Sequence, residues 1–95
     1  MTVIAGRFHL MLPGCASLKE KRHRLSSLKA LALKREVLVM ETDFQEDHQQ
    51  AELVFLSGSA SRSIAQKIMQ QLEAELDAKL DGICLDTEIE EIPLF

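Results

Sequence analysis

Seven of the eleven basic side chains, Lys19, Lys21, Arg22, Arg24, Lys29, Lys34 and Arg35, fall within 17 consecutive residues. The chemistry open to such a block is neutralisation of phosphates along a polyanion, a contact that carries little sequence information and weakens steeply with salt. Residues 1–40 hold eight Lys and Arg against two Glu, whereas residues 41–95 hold three against thirteen carboxylates. The same imbalance supports a second use, in which the basic segment meets the acidic half of its own chain or of another copy in a homodimer. Aromatic residues make up only 4% of the chain, with no Trp or Tyr. A platform for stacking single-stranded bases is therefore poorly provided, and backbone electrostatics on structured RNA is the expected mode of any RNA contact.

Other reactive side chains are scattered. His9, His23 and His48 lie far apart, and none has a spacing that fixes a metal or activates a nucleophile. Asp43, Glu46 and Asp47 gather beside His48 and could face a hard cation, but the segment lacks the glycine and the alternate oxygen spacing of a calcium loop. The Ser57–Ser63 stretch is rich in Ser and Gly ahead of a helix, yet has no Walker lysine and no glycine series. Cys15 and Cys84 are 69 positions apart without partner ligands, which suits two reduced thiols better than a zinc ribbon or a redox pair. No pattern calls for a catalytic residue, a metal, a cofactor or a small-molecule substrate.

The elements that position these groups follow from periodicity. Ninety-five residues suit one domain spanning 1–95, and 46% hydrophobic with 27% charged residues excludes a disordered polymer. No apolar run approaches the roughly 20 residues of a membrane helix, and the N-terminus lacks the pattern of an export signal. Thr2–Leu12 alternates as a strand, with Ile4, Phe8, Leu10 and Leu12 on one face, and Pro13-Gly14 ends it. Ser17 and Glu20 have capping-box spacing, so a helix starts at Leu18 with Leu18, Leu25, Leu28 and Ala32 inward, Leu31 at the margin and Lys21 snorkelling beside them. Val37–Met40 reads as a short buried strand, Glu41–Gln50 as a loop or strand end, and Ala51–Leu56 as a third strand closed by a Ser57–Ser61 loop. Ile64, Ile68, Leu72, Leu76 and Leu80, recurring every four positions and flanked by Ala65 and Met69, mark a second helix capped by Ser61 or Ser63, and Ile83–Ile92 alternates as the last strand.

The order βαββαβ predicts an α+β ferredoxin-like sandwich, a four-stranded antiparallel sheet with two helices on one face. The first and last strands are then neighbours, which sets Arg7 and His9 opposite Asp86, Glu88 and Glu90 on the open face.

The segment from Leu12 to Lys29, LPGCASLKEKRHRLSSLK, resembles the signature of the YlxP-like family of small bacterial proteins, a domain of unknown function. Met40-Glu41, Gln49-Gln50-Ala51-Glu52-Leu53 and Thr87-Glu88-Ile89-Glu90 extend the likeness along essentially the whole chain. Where that family often carries a Trp-Gln-Arg run, this chain has His48-Gln49-Gln50, so no role of that Trp or Arg transfers. The resemblance implies a ferredoxin-like fold, a cytoplasmic location and a role linked to RNA or the ribosome, and it brings no catalytic residues. The expectation is a non-enzymatic accessory protein that touches structured RNA or the ribosome through the seven basic side chains. A homo-oligomeric interaction module without a nucleic-acid partner is the alternative.

Overall fold

Side-chain alternation along Thr2–Met11 builds the first strand, β1, in a computed structural model that describes all residues 1–95. Ile4, Phe8 and Leu10 turn inward, while Ala5, Arg7, His9 and Met11 look the other way. Helix α1, Leu18–Lys34, follows the turn at Pro13-Gly14. The Ser17 hydroxyl accepts from the Glu20 amide at 3.1 Å, and the Glu20 carboxylate reaches back to the Ala16 amide at 2.9 Å. That amide, with the neighbouring Arg24, holds the Glu20 carboxyl below its ordinary pKa. At the other end the Val37 amide donates to Ala32 O and the Glu36 amide to Leu33 O, a Schellman closure. Glu36 occupies the left-handed position, φ 56°, where glycine is usual.

Strands β2 (Leu38–Asp43) and β3 (Gln50–Ser59), helix α2 (Arg62–Lys79) and strand β4 (Ile83–Pro93) complete the chain. The sheet runs β2-β3-β1-β4 with every neighbouring pair antiparallel. This is the ferredoxin-like α+β sandwich expected from the element order. A core of 17 buried residues lies between sheet and helices, centred on the edge-to-face pair Phe8 and Phe55, whose ring centroids are 5.5 Å apart. No helix is long and apolar enough to cross a membrane.

Three local expectations need correction. Helix α2 buries Ala65, Met69, Leu72 and Leu76, while Ile64 is exposed and Ile68 only half-buried. A strict four-residue spacing advances about 400° per step on a helix of 3.6 residues per turn, so the every-fourth pattern drifts off the core face. Helix α1 buries Leu31 fully and Leu18, at its first residue, only in part. Second, β2 is an edge strand rather than a buried one: Val37 and Val39 face the helices, but Leu38 is 68% and Met40 48% exposed on the open face. Third, β3 runs through Ser57–Ser59 rather than ending before them. Its partner β1 extends to Thr2, which pairs with Ser59, and the buried Ser57 hydroxyl donates to the Ala65 carbonyl at 3.3 Å.

Candidate polyanion-binding surface

On a helix each residue turns about 100°, so the basic block of α1 spreads around the whole circumference. Relative to Lys19, the buried residues Leu25, Leu28, Leu31 and Ala32 lie at about 120–240°, whereas Arg22, Lys29 and Lys34 lie within about 80° of Lys19. Lys19, Arg22, Lys29 and Lys34 are accordingly exposed, and none of them forms an ion pair. His23 lies on the same arc and is exposed.

The other three members of the block point inward, at about 140–200°. Lys21 does not snorkel: it is 2% exposed, and its ammonium donates to Phe44 O at 2.7 Å and Asp47 O at 2.8 Å, with Glu41 Oε2 at 3.1 Å. It is removed from any phosphate and instead closes the loop between β2 and β3. Arg24 is also spent internally, donating to Pro13 O at 2.9 Å and Glu20 Oε1 at 3.1 Å beside Asp81. Arg35 pairs with Glu75 and donates to Gln71 Oε1 at 2.9 Å, tying α1 to α2. The polyanion candidates thus divide into four free cations, Lys19, Arg22, Lys29 and Lys34, and three that hold the fold together.

In the β2–β3 loop two of the carboxylates accept hydrogen bonds from the loop itself. Asp43 accepts the Phe44 amide at 2.7 Å, and Asp47 accepts the Gln49 amide at 2.8 Å and the Gln50 side chain at 3.1 Å. The Gln49 amide, aided by Gln50 and Lys21, holds the Asp47 carboxyl below its ordinary range. No three His, Cys, Asp or Glu side chains converge on one point anywhere in the chain. Phe44, at φ 61°, stacks on His9 with ring centroids 4.9 Å apart, and His9 Nε2 lies 2.9 Å from Gln50 Oε1. His23 and His48 are exposed, Cys15 is buried, Cys84 is half-buried, and both thiols are free. Ser61 rather than Ser63 caps α2, accepting from the Ile64 amide.

The open sheet face has the opposite sign. Arg7 stands across from Glu88, with which it pairs, His9 across from Asp86, and Ala5 across from Glu90, as the strand order requires. On the other flank His9 faces Glu52. The acids lie on the sheet side and the free cations of α1 on the helix side, so they do not neutralise one another at contact. Toward β2 the same face turns apolar, where Leu38 pairs with Leu56 and Met40 with Val54. That quadrant was masked in the sequence because a four-residue apolar run does not disclose an edge position.

A family described as "Protein of unknown function (DUF503)" matches residues 3–89. No curated protein matches the sequence. Among solved structures the chain is similar to the de novo designed protein Foldit4, with a TM-score of 0.59, 9% identity and 100% of both chains covered. It is also similar to the de novo designed protein LFR1 1 with ferredoxin fold, with a TM-score of 0.55, 13% identity, and 97% of this chain and 83% of the other covered. At such identities the likeness concerns the fold alone.

Proposed function

The chain belongs to the DUF503 family, and we propose that it is a non-enzymatic, cytoplasmic accessory protein of the YlxP-like bacterial type that contacts structured RNA or the ribosome through the exposed arc of α1. The observation that carries this reading is that Lys19, Arg22, Lys29 and Lys34 share one helix face and have no carboxylate partner. Four flexible cations on a convex helix suit phosphate oxygens, and they read no base edges. Binding is therefore tolerant of sequence and strongly dependent on salt.

The test is co-sedimentation with ribosomal subunits, together with a salt titration on free structured RNA. Four phosphate contacts give a slope of log K against log salt of about −3 to −4 on a duplex. Replacing Lys19, Arg22, Lys29 and Lys34 together by alanine flattens that slope toward zero with the circular dichroism unchanged. Arg24 is unsuitable for this test because its loss also unties the turn at Pro13. Unchanged affinity in the fourfold variant would sink the proposal.

Self-association remains the alternative, favoured by the exposed apolar quadrant around Leu38 and Met40. It gives a dimer mass in light scattering that Leu38→Lys with Met40→Lys converts to a monomer. A monomeric mass for the unaltered protein at high micromolar concentration removes it.

A further inference from the structure

Strand β4 is the outer strand of the sheet, 11 residues long, and almost every residue in it is exposed. Its inner side pairs with β1, while the backbone donors and acceptors of its outer side face no strand. Helix α2 packs over β1 and β3 and leaves β4 uncovered, so a groove of about 230 Å³ runs between helix and strand, lined by Met69, Ile89, Gln66, Gln70 and Glu73. Glu91 marks one end of it, held to α2 by Arg62 at 2.8 Å and by Gln66. An edge strand beside a helix groove is the geometry in which a peptide adds to a sheet.

The side chains of β4 say which peptide. Asp86, Glu88 and Glu90 project on the open face at every second residue, and of these only Glu88 has a cationic partner. Thr87 and Ile89 project toward the helix side, with Ile89 beside Met69. An added strand therefore meets carboxylates with one set of alternate side chains and, with the other, a groove in which Met69 and Ile89 offer apolar contact beside the polar side chains of Gln66, Gln70 and Glu73. A second copy of this chain does not supply that complement. Pairing β4 with β4 sets acid against acid, and the other sheet edge, β2, offers Glu41 and Asp43 with no Lys or Arg. We propose that the β4 edge and the α2–β4 groove form a docking site for an extended segment of another protein in which Lys or Arg alternates with apolar residues.

The probe is an acetylated heptapeptide alternating valine and lysine, titrated into the full chain with NMR detection of backbone amides. It is compared with a version carrying its lysines in one block and with two versions N-methylated at either the valine or the lysine amides. In a strand, alternate amides point to the same side, so only one of the two methylated sets faces β4. The expected result is slowed exchange of β4 amides, loss of binding by at least tenfold for one methylated version, and little change for the other. Asp86→Lys with Glu90→Lys weakens the parent peptide at least tenfold while the helical circular dichroism is retained. Equal binding of both methylated versions and of the block peptide means charge attraction without strand addition and overturns the proposal. So does a response centred on α1 or β2, an absence of binding at millimolar peptide, or concentration-dependent protection of β4 without peptide, which assigns the edge to a second copy.

Discussion

Lys21→Met is expected to lower the unfolding free energy by about 3–4 kcal/mol, the cost of breaking a buried ion pair by removing one partner. The methionine stem fills the same space in α1, so the loss is chemical rather than one of volume. The ammonium donates to the Phe44 and Asp47 carbonyls and pairs with the Glu41 carboxylate, and methionine replaces none of these three contacts. Those acceptors belong to β2 and the loop behind it, so the loop loses its attachment to the helix. In a domain of this size the change corresponds to a fall in melting temperature of roughly 12–32 °C. Urea unfolding should show a lower midpoint with an unchanged slope, and amides of residues 44–50 should exchange faster than those of β1. A midpoint within 0.3 M of the parent would show that the three contacts contribute little. The consequence for function is direct: reversing Lys21 in a binding study measures damage to the fold and not a lost phosphate contact.

Lys21 also shows how far the sequence can be read. Its position on the helical wheel lies amid Leu25, Leu28 and Ala32, and that much is visible from spacing alone. Its acceptors lie 20 to 26 residues further on, and two of them are backbone carbonyls of a loop without Gly or Pro to define its turn. No residue type signals them. The strands facing one another across Arg7, Glu88 and Glu90 were legible because β1 and β4 alternate over that stretch and because the βαββαβ order makes them neighbours, whereas the shift of register between His9 and Leu10 was not. The reach of β3 was not, since Ser57, Gly58 and Ser59 carry turn propensity that pairing with Thr2–Ile4 overrides. Of the seven basic residues, the sequence identifies the block and the wheel sorts it. The internal partners of Arg24 and Arg35 depend on where Pro13, Asp81 and Glu75 arrive in space.

Gly82→Ala is expected to cost about 2–3 kcal/mol, as overpacking against a well-packed backbone does. A Cβ at this position would fall within the van der Waals envelope of the Met11 carbonyl oxygen and 3.0 Å from Leu12 Cδ2. A side chain can rotate away from such a clash, but a carbonyl at the end of β1 moves only if the strand moves. Gly82 sits between the end of α2 and the start of β4, so the displaced segment is the start of β4, where Ile83 pairs with Met11 and Cys84 with Leu10. Gly14→Ala supplies the contrast. Gly14 has open space around it but a φ of 73°, so alanine there meets only the left-handed backbone penalty of about 1–2 kcal/mol. The two variants are separated by where they loosen the chain: Gly82→Ala speeds exchange of amides 83–86, and Gly14→Ala that of the turn before α1. Because β4 pairs only with β1, loosening its start also withdraws the acidic edge from register with Arg7 and His9. Equal exchange at residues 83–86 in Gly82→Ala and the parent would mean that the end of β1 yields at little cost, and that β4 is held from its Arg62–Glu91 end instead.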